Sequence, residues 1–161
     1  VPQFPMIRDA TRAFSLPCLE EEGVEADDLI ASYAKAALRE GWSVTIVSSD
    51  KDLMQLIEPG LDLYDTMNNR RLGPEHVVEK FGVGPELLGD VLALMGDTVD
   101  NVPGVPGIGP KTAAKLIQEH GGLEAALAAA PSMKPGKLRD NLLAHAADAR
   151  LSRELVELRC D

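Results

Sequence analysis

Apolar positions follow two rhythms along this chain, and the switches between them set the expected architecture. Leu29, Ile30, Tyr33, Ala34, Ala37 and Leu38 recur every three or four residues, the stripe of an amphipathic helix. Val44-Thr45-Ile46-Val47-Ser48-Ser49 is instead a short β-branched run followed by charge, which reads as a buried parallel strand. Leu61 to Tyr64 is a second strand, and Asp65 to Arg71, with Asn68-Asn69 inside it, is a turn that returns as a hairpin. Helical spacing resumes over residues 75–81 and again over 85–95, where Leu87, Leu88, Val91, Leu92 and Met95 share one face. Pro110 opens a further helix, at the position where a missing amide is harmless. Gly121-Gly122 separates it from an alanine-rich helix over 123–130 ended by Pro131, and Pro135-Gly136 precedes a helix from Lys137. Phe4, Ile7 and Phe14 indicate an opening helix. Leu155 to Cys160 alternates like a strand returning to the sheet, a helix end being the other reading. The pattern is α/β: a Rossmann-like core with a mostly parallel sheet over 1–95, then a helical hairpin region and returning strand over 96–161, in one structural domain.

The chemistry concentrates in one stretch, Leu94 to Ala113. Gly107 and Gly109 permit backbone conformations closed to other residues and remove side chains that would block a ligand. The helix opened by Pro110-Lys111-Thr112 presents exposed amides and a partial positive charge, which suit a phosphate oxygen. Helix, Gly-Ile-Gly hairpin, helix is the helix-hairpin-helix pattern, which grips a DNA backbone without reading sequence. Candidate DNA contacts are therefore Gly107, Ile108, Gly109, Lys111, Thr112 and Lys115, although Lys115 reads almost equally well as a solvated helix lysine.

Three acidic clusters accompany the hairpin. Asp50-Lys51-Asp52 stands just past a strand end, where open α/β sheets bind ligands, and alternate residues there can turn toward one ion. Asp97 and Asp100 run straight into the hairpin. Glu25, Asp27 and Asp28 sit at a helix start, where acids also serve as ordinary dipole complements. Hard oxygen donors without His or Cys favour magnesium or manganese over zinc.

Taken in order, Gly23-Val24-Glu25-Ala26-Asp27-Asp28, Ser49-Asp50-Lys51-Asp52, Asn68-Asn69, Leu72-Gly73-Pro74-Glu75 and Leu92 through Ala113 resemble the 5′-nuclease domains of bacterial DNA polymerase I, in the flap-endonuclease family. The resemblance runs from about Ile7 to Asp161. It implies a PIN-like α/β fold and a 5′-3′ exonuclease and flap endonuclease that hydrolyses phosphodiesters. It also implies two Mg²⁺ or Mn²⁺ ions among acids matching Glu25, Asp27, Asp28, Asp50, Asp52, Asp97 and Asp100. Of these, Asp50, Asp52, Asp97 and Asp100 are the expected catalytic acids, and Glu25, Asp27 and Asp28 the holders of the other metal. The implied partner is DNA with a 5′-flap, a nick or an RNA primer, the hairpin loop carries K⁺, and a polymerase domain belongs to the parent chain. The family's opening strand, with its aspartate and glycine, and its arch residues have no counterpart in Val1 to Ile7. On this resemblance the chain is expected to lack roughly the first third of the domain and to be weakly active or inactive alone.

Net charge is −10, which argues against simple DNA attraction until its distribution is considered. Residues 1–102 hold 8 Lys and Arg against 19 Asp and Glu, or −11, whereas residues 103–161 hold 8 against 7, or +1. The acidity therefore lies with the proposed metal sites, and DNA binding should be modest and steeply salt-dependent. Cys18 and Cys160 suggest reduced thiols, no apolar run reaches membrane-spanning length, and a cytoplasmic setting with no membrane partner is expected. His76, His120 and His145 read as structural, Trp42 as a packing residue and Met54 as core. Two other functions fit parts of the pattern. A haloacid-dehalogenase-type phosphatase would use Asp50 as nucleophile, but Ser48-Ser49 is not apolar, Asp97 follows a helix, and the hairpin would be idle. A non-catalytic helix-hairpin-helix DNA-binding module would leave the acids merely solvated.

Overall fold

β1 (Val44–Val47) pairs in parallel with β2 (Leu61–Asp65), Val44 opposite Leu61, and β2 turns back on β3 (Arg70–Leu72) in an antiparallel hairpin. The computed structural model describes residues 3–160, and within them these strands form one sheet in the order β1-β2-β3. The parallel core is thus a single pairing extended by a hairpin. Asp65 fixes that hairpin: its buried carboxylate accepts the amides of Met67 (3.0 Å) and Asn68 (3.2 Å) and the side-chain amide of Asn68 (2.6 Å). Asn69 then takes a left-handed φ of 50°, which a short polar side chain tolerates.

The α-helices of the described residues are α1 (Gln3–Ala13), α2 (Ala26–Arg39), α3 (Pro74–Phe81), α4 (Pro85–Met95), α5 (Pro110–His120), α6 (Leu123–Ala129), α7 (Lys137–Ala144) and α8 (Ala146–Leu155), with α2 packed on β1 and α3 on β3. α4 is the hub. Leu88, Val91, Leu92, Ala93 and Leu94 are all buried, so the helix is apolar nearly all round and packs against α3, α5, α8 and the 3₁₀ turn Asp52–Leu56. No helix of the described residues is long and apolar enough to cross a membrane.

Two sequence expectations change. Residues 155–160 do not form a returning strand. Leu155 ends α8, and the following segment is held by side chains instead of a sheet ladder: Gln55 Nε2 donates to Val156 O (3.0 Å), Asp28 Oδ1 accepts Arg159 N (2.9 Å) and Ser32 Oγ donates to Arg159 O (3.3 Å). Trp42 is 66% exposed, because the left-handed turn at Gly41 throws it outward. The opening helix forms, but α1 buries no residue and is tied back through Arg8 and Arg12 to Glu20. Met54 is core as expected, and the three histidines are half-buried, His145 bonding Asp148 at the start of α8 (2.7 Å).

α4 ends in a close backbone contact. Gly96 (φ 68°) and Gly104 (φ 61°) approach so tightly that a Cβ on Gly104 would lie 2.5 Å from Gly96 N, and one on Gly96 2.8 Å from Val102 O. Between them the chain closes on itself, with Asp97 and Val102 exchanging both backbone hydrogen bonds (2.9 and 2.7 Å). Val105 N returns to Leu94 O (2.9 Å), and the fully buried Ser152 hydroxyl of α8 accepts Gly104 N (2.8 Å). Gly104→Ala is expected to cost about 3 kcal/mol in urea unfolding, the upper range of overpacking. Ser152→Ala, which strands a buried amide, should cost about 1–3 kcal/mol. An unchanged unfolding midpoint in both variants would show that this junction is not needed.

Candidate metal centre and nucleic-acid interface

The acids after β1 are positioned by their own local hydrogen bonds. Ser48 Oγ accepts Asp50 N (3.0 Å) and Asp50 Oδ1 accepts Asp52 N (3.0 Å), so the chain winds directly into the 3₁₀ turn. Leu53, Met54 and Leu56 are buried beneath and anchor it. Asp52 is consequently drawn inward while Asp50 stays exposed. Asp97 begins the closed loop after α4, where its Oδ1 accepts the amides of Val99 (2.7 Å) and Asp100 (3.4 Å). Between the two segments lies Lys51, whose Nζ is 2.5 Å from Asp97 Oδ2 and 3.4 Å from Asp52 Oδ1.

Electrostatics follow from this placement. The Lys51 ammonium first, then the Val99 amide, holds the Asp97 carboxyl below the usual carboxylate range. Burial pushes Asp52 up; Lys51 opposes the rise and the neighbouring charges of Asp50 and Asp100 add to it. Burial likewise raises Asp27, reinforced by Asp50 and Asp52 ahead of Glu25 and Asp28 on its own helix. Burial works against the Lys51 ammonium, yet Asp97 and Asp52 keep it above its ordinary range. Asp27 therefore feels the acids that follow β1 as well as Glu25 and Asp28, and it lines one cavity with Glu25, Asp28 and Asp52. Asp28 accepts Arg159 N, and Glu25 is the exposed N-cap residue of α2.

Among the described residues, no three His, Cys, Asp or Glu side chains are drawn closely enough together to hold one ion in common. The donor set nonetheless fits a hard divalent cation. All the candidates are carboxylates, Asp27 and Asp52 are raised by burial and by acidic neighbours, and Asp52 Oδ1 is a buried oxygen with no hydrogen-bond partner. Lys51 is the cation nearest that oxygen in the ion pairs of the described residues, at 3.4 Å.

The hairpin lies directly downstream. Gly107 needs its positive φ of 78°, whereas Gly109 is extended, and a Cβ there would meet nothing within 4 Å. Gly109 thus leaves open surface beside the amides of Lys111 and Thr112, which precede the first α5 bond from Ala113 N to Gly109 O (2.9 Å). Ile108 is 4% exposed, so only its backbone can meet a ligand and its side chain roots the loop in the core. Asn141 of α7 donates to Pro106 O (2.7 Å) and holds the hairpin from behind. Lys111 is exposed on the first turn of α5, while Lys115 is 3.7 Å from Glu119.

Two positioning residues escaped the sequence reading. Lys51 carries a visible signal, a lone base between two acids. Gln55 does not: its Nε2 joins Asp52 O (3.0 Å) to Val156 O (3.0 Å), a contact across the whole fold.

With this geometry in view, the chain can be compared with known proteins. Residues 1–82 match a family model described as the 5′-3′ exonuclease N-terminal resolvase-like domain, and residues 83–161 match that of the 5′-3′ exonuclease C-terminal SAM fold. The chain is 56% identical over 161 residues to DNA polymerase I of Rhizobium leguminosarum, covering 100% of this chain but only 16% of that protein. It superposes on the 5′-exonuclease of bacteriophage T5 with bound zinc at a TM-score of 0.88 and 28% identity, covering 96% of this chain and 58% of that one. A T5 flap endonuclease in a pseudo-enzyme-product complex with DNA and metal ions superposes at a TM-score of 0.86 and 27% identity, covering 95% and 57%.

A raised carboxylate pKa means that the ionised form opposes folding at neutral pH, an effect that fades as the pH falls below the folded-state pKa. Asp27→Asn should therefore raise the melting temperature at pH 7, with the gain shrinking on acidification. Differential scanning calorimetry across pH 3–7 checks this; a variant less stable at pH 7 would make Asp27 a net stabiliser.

Proposed function

The chain belongs to the 5′-3′ exonuclease family, and from that premise we propose that it supplies metal-binding carboxylates and a DNA grip to a structure-selective 5′ nuclease of the DNA polymerase I type. The proposed substrates are 5′-flap, nicked and RNA-primed duplexes, and the parent protein is a cytoplasmic polymerase. The supporting observation is the loop from Asp97 to Val102. It is closed by its own hydrogen bonds, linked through Lys51 to the acids after β1, and continuous with the open surface at Gly109.

On this reading Asp50, Asp52, Asp97 and Asp100, with Asp27 beside them, would hold Mg²⁺ or Mn²⁺ once the cation draws them together, and Glu25 and Asp28 flank the same cavity as Asp27 and Asp52. Bound there, divalent cations would supply a lowered pKa for an attacking water and charge stabilisation for the leaving oxygen of an in-line displacement. The chain's own residues then act by position. Asp52, half-buried on an anchored turn, fixes where the charge sits, and Asp97 is pinned by the Val99 amide so that it cannot follow the substrate outward. The Gly107–Gly109 hairpin and the first turn of α5 take phosphate oxygens of the duplex, with Lys111 as the charged contact and K⁺ as a further ligand of the loop. A phosphatase reading finds no use for this hairpin.

In the polymerase-length protein that carries this segment, Asp50→Asn with Asp52→Asn should slow flap cleavage by roughly a hundredfold or more, the scale of losing an electrostatic stabiliser of the transition state. Flap affinity should stay within about twofold. Unchanged cleavage would favour a non-catalytic DNA-binding module. Separately, Lys111→Ala should weaken duplex binding without altering sequence preference and reduce the log–log salt slope by about one; an unchanged slope would remove Lys111 from the interface.

A further inference from the structure

The basic residue within the acid cluster has a role of its own. Resting on the metal-nuclease reading above, we propose that Lys51 is the built-in counter-ion of the cluster: its ammonium joins Asp52 to Asp97 and is released when a divalent cation takes those carboxylates.

The geometry makes this specific. The turn wound by Ser48 and Asp50 sends the Lys51 side chain across to a different segment, and it ends 2.5 Å from Asp97 Oδ2 with the side chain only 26% exposed. Asp97 is satisfied there, because its other oxygen already accepts the Val99 amide. Asp52 is not. Its Oδ1 lies 3.4 Å from the same ammonium, buried and without a hydrogen-bond partner. One monovalent cation is therefore shared by two acids and completes only one of them. A hard divalent ion draws on the same oxygens with twice the charge, and its charge repels the ammonium, so the two cations compete for one place. Lys51 thereby holds the Asp50-Lys51-Asp52 turn against the Asp97 loop in the metal-free protein, where the carboxylates alone would repel.

Two measurements on this chain test the proposal, neither of which needs catalysis. The first uses the wild-type protein and acetylation by an N-hydroxysuccinimide ester, read by mass spectrometry. Lys51 should be protected in EDTA and modified several-fold faster at saturating Mn²⁺, with Lys80 as an unchanged reference. The second compares Mn²⁺ affinity by calorimetry. Lys51→Met should bind on the order of tenfold tighter, equivalent to about 1.4 kcal/mol, and should melt at a lower temperature without metal. Lys51→Arg, which keeps the cation, should return both values toward wild type. Mn²⁺ binding by Lys51→Met alone would also support competition by the lysine. If wild type and Lys51→Met bind Mn²⁺ equally and the acetylation rate ignores the metal, the proposal is overturned while the metal site stands. If neither protein binds Mn²⁺, the metal reading falls and this inference with it.

Discussion

The contact between Gly96 and Gly104 governs the arrangement of the functional half of the molecule. Two backbones approach to a distance that no Cβ would allow, and four segments meet as a result: the end of α4, the acidic loop, the strand-like exit toward the hairpin, and α8 through Ser152. The glycines are required twice over, by their positive φ values and by the space between them. Because α4 is buried against α3, α5 and α8, the contact rests on a rigid base. The acidic loop and the Gly107–Gly109 hairpin consequently keep a fixed relation to each other, which the proposed nuclease function requires if a duplex held at the hairpin is to reach the acids.

The acid cluster is held together against its own repulsion. Burial disfavours the ionised forms of Asp27 and Asp52, and the neighbouring acids add to this, Asp50 and Asp52 for Asp27 and Asp50 and Asp100 for Asp52. What keeps them near one another is apolar. Leu53, Met54 and Leu56 sink the turn that carries Asp52 into the core, so hydrophobic burial offsets an unfavourable charge arrangement. Gln55 and Asp28 add a second restraint by fastening the segment after α8 across both acid-bearing elements. Such locally unfavourable sites mark function more often than stability.

The distribution of charge divides the labour between the two halves. The acidic half provides oxygen donors, and the nearly neutral half provides backbone amides and an exposed Lys111. A hairpin that works through amides does not need a strongly basic surface. On the proposed reading, a net charge of −10 is therefore compatible with a DNA partner.

Much of this was legible in the residues. The strand at Val44–Val47, the hairpin after Leu61–Asp65, the helices at Pro85–Met95 and Pro110–His120, and the glycine turn between them each carry a local signal: β-branching, three-to-four spacing, or proline and glycine punctuation. The acids and the hairpin were also visible, because oxygen donors and phosphate grips need particular residue types at short spacing. The alternation at Leu155–Cys160 misled, since the same two-residue rhythm arises when a helix end passes into an extended segment pinned by side chains. Trp42 misled because apolar character says nothing about which way a left-handed turn will point it. By itself, then, the sequence determined element types, the donor chemistry and the family, all properties of neighbouring residues. Tertiary structure alone decided that Asp27 lies near the acids after β1, that Lys51 reaches Asp97, that Gly96 meets Gly104, and that the Ile108 side chain roots its loop in the core. Those depend on distances between segments far apart in the chain, which are set by how α4 and the sheet pack their buried faces.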